Sequence, residues 1–439
     1  MNRFFTGFTK EGKYRIPLFF LMGVFVVQLL FLGYMNLFAP DKILNFDGAN
    51  AMLHGIEIWK NKALFLPGWH DTTQLEFDMA AFLAAPLYGI TKNIFLSYGI
   101  ANIVFAALYV WVVLDLFKNF GKSLFHALIA LVLIFTPYCI GMIDYYSMMF
   151  FQAAFYVMRV LIPLLTLNLL VKKKERRRAP DTICLLALLC VFSFVSGLSC
   201  GIYVLVSAFA PIFVVLCLEV LLAGDFRQVE KWQGIVMGLG IGFSLLGIIL
   251  IRIAGYAGLD NQMQLVNYQD MTSNVHAVIL SFFMVLDAFP SANTPVLSLA
   301  GIVYLLKALV ALALLAVFII RLQTLFKTQS KEPDAENDSG NAFLLGKLVS
   351  FLLLWNVLEF IFSETRYSLS NPIIENRYYL IPVVALMVFF PFQMEEWSLA
   401  KTRFMEIAVN LGVSLAVFAL AVGCDYYVVK KFDADSGYI

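Results

Sequence analysis

IPLFFLMGVFVVQLLFLGYMNLF, residues Ile16 to Phe38, carries no charged side chain and is long enough to cross a bilayer. It is too long for a signal-peptide core and no small-residue cleavage site follows it, so it is expected to stay as a membrane anchor. The same texture recurs outward along the chain. Ile94–Phe117, Leu124–Met142, Met149–Val171, Thr182–Ser196, Gly201–Leu222, Gln233–Ile253, Pro295–Ile320, Ala342–Phe362, Tyr378–Phe392 and Phe404–Cys424 all read as spans. Composition agrees: the 439 residues are 61% hydrophobic and 15% aromatic, with mean hydropathy +0.83. A soluble core cannot absorb that fraction. The expected fold is an all-α polytopic membrane protein with about 11 transmembrane helices, one integral domain over residues 1–439.

Basic residues set the expected orientation. With the N-terminus in the cytoplasm, MNRFFTGFTKEGKYR, KNFGK, KKKERRR (172–178), DFRQVEK, RLQTLFKTQSK and LAKTR all fall inside. That placement puts most of the Lys and Arg on the cytoplasmic side. Met79–Ile90 and His276–Phe289 are too short to span, and counting either as a span would move a basic segment outside. Both are expected as helices on or in the outer leaflet. Residues 321–341, ending in KEPDAENDSGN, read as a flexible cytoplasmic loop. The six cysteines are scattered, mostly inside spans, with neither metal-ligand nor disulfide spacing. The net charge of +1 points to no partner, and no nucleic-acid motif is present.

The first outer loop, residues 39–93, is where chemistry is expected. Its stretch Asn45–Asp78 reads NFDGANAMLHGIEIWKNKALFLPGWHDTTQLEFD and holds Asp47, Glu57, Asp71, Glu76 and Asp78, with His54 and His70. It can be drawn as two juxtamembrane helices, the first over Phe46–Lys60. Asp47 lies near that helix start, where an acid is either a cap or a functional group. The PGWHDTT turn then brings Glu76 and Asp78 towards the same outer face. A carboxylate there can act as general base on an acceptor hydroxyl. Asp47, His70, Glu76 and Asp78 together could also hold a divalent metal, although their spacing is no known metal motif.

Two further groups of residues stand out. ETRYSLSNPIIENRYYLIP (364–382) places Arg366, Arg377 and Tyr378 at an outer boundary, where a guanidinium can grip a lipid phosphate or simply fix helix depth. Arg159, Lys307 and Glu359 lie inside spans, at a depth where charge faces a polar cavity or a partner. Arg159 paired with Glu359 is one structural alternative. Asp144 sits in a polar turn that either lines the same cavity or only closes a hairpin. Glu57, His70, Asp71, Asp144, Arg159 and Glu359 are therefore candidates for an acceptor site or cavity wall.

The order of these parts resembles the GT-C superfamily of membrane glycosyltransferases. One span is followed by an outer loop with an early acid, Asp47 in NFDGANAML. A second acidic site precedes an apolar helix, Glu76 and Asp78 in LEFDMAAFLAAPLYG. A basic residue and tyrosines precede a late span, Arg377 and Tyr378 in ENRYYLIPVVAL. The match departs from the family's usual pattern at Gly48, where many members carry a second acid, and in lacking the proline pair after the second acidic site. The resemblance implies that Asp47 is the catalytic base and that the Arg377 region meets the carrier phosphate. The implied partners are a polyprenyl-phosphate-linked sugar, a glycan, lipid or protein acceptor, and membrane lipids. The resemblance also implies an active site on the outer face, and the absence of mitochondrial or endoplasmic-reticulum signals, with the short loops, points to a bacterial cytoplasmic membrane. Two competing classes fit less of the pattern: a flippase for a lipid-linked glycan, which would show two pseudo-symmetric halves, and a polysaccharide polymerase or ligase, which would use arginines in outer loops.

Overall fold

The computed structural model describes residues 15–66, 69, 75, 77–138, 145–224, 229–255, 265–290, 292–323, 325, 338–363, 377–399 and 403–434. Among them every regular element is a helix, and the sole strand-like pairing is a bridge between Leu265 and Ser363. In chain order the helices are α1 (Arg15–Leu37), α2 (Phe46–Asn61), α3 (Ala81–Thr91), α4 (Ile94–Asn119), α5 (Leu124–Phe135) and α6 (Tyr145–Met149). Then follow α7 (Val157–Leu170), α8 (Pro180–Cys200), α9 (Ala210–Ala223), α10 (Lys231–Ile253) and α11 (Tyr268–Met284). The last four are α12 (Leu299–Leu322), α13 (Asp338–Phe362), α14 (Leu380–Leu399) and α15 (Arg403–Ala434).

Eight of these helical segments are long and apolar enough to cross a membrane. They lie in α1, α4, α8, the stretch Leu205–Ala223, α10, α12, α13 and α15. The chain is thus an all-α polytopic membrane protein. Three of the spans read from sequence form shorter apolar helices: α5 with 12 residues, α7 with 14, and Leu380–Met394 of α14. These three are the interior of the bundle. Every residue of α7 is buried, as is all of α5 but its first residue. A helix sheathed by other helices does not have to match the hydrocarbon thickness on its own. The outer helices carry the opposite signature, with Phe19, Leu30, Leu221, Ile253 and Leu309 exposed as a lipid-facing surface would require.

Local signals fix the ends of the elements that matter for the site. The Asn45 side chain caps α2 by accepting from the Gly48 N–H at 2.7 Å, so the cap is Asn45 and Asp47 stands inside the first turn. Asp47 is exposed there and complements the helix dipole. Lys62 and Lys92 close α2 and α3 in the left-handed conformation, at φ 53° and 54°. α8 and α10 approach backbone to backbone: a Cβ on Gly197 would overlap the Ser244 carbonyl, and one on Gly247 the Phe194 carbonyl. Small residues at such a crossing are how apolar helices pack without a hydrophobic drive between them.

Hydrogen bonds at the two ends show which segments share a side. At one end Asn119 and Asp115 of α4 hold Val171, Lys172, Lys173 and Arg176. At the other, Asn102 of α4 bonds Asn36 of α1 at 2.8 Å and the Gln152 carbonyl at 3.1 Å. α2, α3 and the start of α7 belong to this second end.

Candidate functional site

The basic run Lys172–Arg178 is folded rather than loose. Lys172 is fully buried against Asp115 and Asn168, and Arg176 bridges Asp115 at 2.5 Å and Asp181 at 2.8 Å. This end of the bundle is saturated with internal pairs. The opposite end is where polar groups converge.

Its centre is Asp78. The carboxylate is wholly withdrawn from solvent and accepts two hydrogen bonds from Arg159, Nε to Oδ2 and Nη2 to Oδ1, both at 2.7 Å. Ser196 of α8 donates to Oδ2 at 3.2 Å. The Arg159 guanidinium also lies 5.2 Å from the Tyr156 ring and 5.8 Å from the Tyr203 ring. Arg159 had Glu359 as one candidate partner on sequence grounds; the partner is Asp78, 81 residues earlier in the chain. With both oxygens engaged by one guanidinium, Asp78 is geometrically a clamp between α7, α8 and the segment leading into α3. That leaves little room for it to take a proton from an acceptor.

Glu359 of α13 instead accepts from the Ser207 hydroxyl at 2.8 Å. Ser207 lies in a π-helical stretch, Leu205–Phe209, where one extra residue per turn re-aims the side chains. The Asn356 amide donates to the Ser207 carbonyl at 3.0 Å and ties that stretch to α13. Tyr203 connects the two acids: its ring is 6.3 Å from Tyr156, beside Arg159, and 6.4 Å from Tyr378. Tyr378 sits in the turn Arg377–Tyr379 that opens α14.

The first turn of α2, which holds Asp47, meets the chain leading into Tyr156 and Arg159 at a strained stretch of backbone. Gly48 packs on the end of the Gln152 side chain, which would have to move aside for a Cβ. Gln152 and Ala154 are left-handed, at φ 52° and 47°, although neither is glycine. The segment is held there by the Asn102 amide on the Gln152 carbonyl, and by the Ala80 N–H on the Ala153 carbonyl at 2.9 Å. Strain of order 1–3 kcal/mol per residue persists only where surroundings over-determine it, and it concentrates at functional sites. The same short segment thus touches α2 beside Asp47 and leads into Tyr156 and Arg159.

Elsewhere on α2, His54 is buried and stacks on Trp69, with centroids 4.8 Å apart and planes at 10°. Burial pushes the imidazole down to about 4, so it is neutral at pH 7. Glu57 faces outward and is bonded by Lys60 at 2.8 Å and by Asn61, and the Lys60 ammonium holds its carboxyl below the ordinary range. Leu75 and Phe77 pack with Leu198 and Ile251, which seats the end of the loop on α8 and α10.

His70, Asp71, Glu76, Asp144 and Arg366 lie outside the described residues, as does the side chain of Arg377. Among the described residues no three His, Cys, Asp or Glu side chains come together as a metal site would require. The sequence reading missed Ser196, Tyr203, Ser207 and Gln152. A signal for the first was present: Ser193, Ser196 and Ser199 recur every third residue on one face of an otherwise apolar span. No protein-family model matches this chain, and no curated protein matches it.

Proposed function

We propose that the chain is an inverting glycosyltransferase that moves a sugar from a polyprenyl-phosphate carrier to an acceptor hydroxyl at the outer face of a bacterial cytoplasmic membrane, in cell-envelope glycan or lipid glycosylation. One observation carries this reading. An exposed acid in the first turn of a loop helix, Asp47, is linked through the strained Gln152–Ala154 segment to a buried, tyrosine-lined polar cluster that ends at the Arg377–Tyr379 turn.

In this mechanism the carrier enters sideways from the bilayer. Arg377 and Arg366 hold its phosphate, with Tyr378 beside them. The acceptor hydroxyl approaches Asp47, which takes its proton while the oxygen attacks the anomeric carbon. The bond from that carbon to the phosphate oxygen breaks, and the electron pair leaves with the carrier. A single displacement inverts the anomeric centre. Asp78 and Arg159 keep the loop seated on the bundle, so that the base stays in place. The basic segments at the opposite end support an outer location.

The test is sugar transfer by the purified protein from a panel of radiolabelled polyprenyl-phosphate sugars, with membrane extract as acceptor source. Asp47→Asn is expected to lower transfer about a hundred-fold or more, the scale of a lost general base. Arg377→Ala is expected to weaken carrier binding. Equal transfer by wild type and Asp47→Asn would remove Asp47 as the base. Carrier binding without transfer from any donor would sink the reading itself.

A further inference from the structure

Glu359 is a member of the cluster whose hydrogen bonding is half complete among the described residues. Its Oε1 accepts from Ser207, while among the described residues nothing meets Oε2, which is withdrawn from solvent. The Tyr203 and Tyr379 hydroxyls share this condition, both buried and both without a hydrogen-bond partner among the described residues. Tyr379 is 1% exposed, and its ring lies 5.6 Å from Phe360, the neighbour of Glu359 on α13. A buried carboxylate oxygen and two buried hydroxyls left unsatisfied each cost free energy, of order 1–3 kcal/mol and more for the charged group. Such groups call for an explanation, and a ligand that completes them is one.

The chemistry of the groups says which ligand. A carboxylate repels phosphate, and the guanidinium beside Tyr203 is committed to Asp78, so this is not where a phosphate binds. A hydroxyl donor suits Oε2, and the tyrosine hydroxyls can donate to or accept from further hydroxyls. The Tyr203 and Tyr378 rings, with centroids 6.4 Å apart and planes at 49°, offer apolar faces for the C–H side of a ring. Hydroxyls on the edge and C–H groups on the face describe a pyranose. We infer that Glu359 and Tyr203 form the subsite that reads the hydroxyls of a neutral sugar, the transferred part of the donor. This inference rests on the glycosyltransferase reading. It adds the residues that would choose the sugar, a task no phosphate contact can perform. The π-helical stretch is its structural device, because it turns Ser207 to hold Glu359 in the reading position.

Binding in lipid nanodiscs tests it without requiring transfer. The probes are bare undecaprenyl phosphate, its neutral hexose-linked form and its amino-sugar-linked form. Glu359→Gln and Tyr203→Phe should each weaken the hexose-linked carrier about ten-fold, one charge-assisted hydrogen bond's worth, and leave bare carrier unchanged. Ser207→Ala, which frees the Glu359 side chain without removing it, should give a smaller loss confined to the same carrier. Equal losses on bare and hexose-linked carrier in these variants would overturn the inference, as would no loss on either. Wild-type binding restricted to the amino-sugar carrier would overturn the neutral-sugar assignment. Failure of the wild type to bind any of the three carriers would instead remove the glycosyltransferase reading, and this one with it.

Discussion

The Asp78–Arg159 pair illustrates why intramembrane charge is informative. Each ion alone would cost several kcal/mol in this interior, and the bidentate geometry with the Ser196 hydroxyl offsets that cost by satisfying both oxygens. Breaking the pair should therefore hurt more than deleting it. Asp78→Leu or Arg159→Met alone should destabilise the protein by roughly 3–5 kcal/mol, whereas the two together should recover most of the loss. Thermal unfolding in detergent of the two single variants and the double would show this, and additive losses would contradict a coupled pair. Sequence reading recognised that Arg159 must face a polar cavity or a partner, because a guanidinium deep in an apolar helix rarely stands alone. It could not name Asp78, since the contact depends on how the loop folds back onto α7. Likewise Gln152 is an ordinary polar residue in sequence. Its importance lies in a left-handed backbone held by tertiary contacts from Asn36, Asn102 and Ala80.

At the scale of elements, hydrophobic period and capping chemistry were legible. The first loop helix was expected over Phe46–Lys60 and runs Phe46–Asn61. What length rules overstated was the extent of the interior helices, read as full spans, because the requirement of about 20 residues applies to helices that face lipid. α5 and α7 face only protein and are shorter. The crossing of α8 with α10 was also hidden, although its small residues are visible in sequence. Ser244 and Gly247 line α10 there, and Gly197 lies on α8 beside the site residue Ser196. The helix backbones touch there, so no rotamer can absorb an added side chain. Gly197→Leu should cost roughly 1–3 kcal/mol by overpacking and should displace Ser196 from Asp78. A lowered Tm together with weakened carrier binding is the expected result. A variant with unchanged Tm would mean that the helices are not in close contact.

For the whole molecule the decisive property is sidedness, and it follows from geometry more firmly than the number of spans does. Between Lys60 and Glu175 the chain traverses α4, then the short α5, then the short α7. Counting α4 alone gives one crossing, and counting all three gives three. Either way the two residues lie on opposite faces. α14 is the helix that matters to the count. Tyr378 at its start touches Tyr203 at the site end, while Gln393 accepts from Arg321 at 2.7 Å, at the far end of α12. It thus runs the full distance despite its short apolar stretch, and α15 must return. The close packing of Gly423 on Val303, near the start of α12, agrees with that return. In a cysteine-free background, Lys60→Cys and Lys430→Cys should both react with a membrane-impermeant maleimide in intact cells. Glu175→Cys, in the basic segment, should react only after permeabilisation. All three positions are exposed in the fold, so silence would report sidedness and not burial. Reaction of Lys430→Cys with the Glu175→Cys group would mean that α14 fails to cross. Reversal of the Lys60 and Glu175 results would put Asp47 in the cytoplasm. A sugar donor there would be expected to be a soluble nucleotide sugar, and a site opening sideways to a lipid carrier would lose its reason.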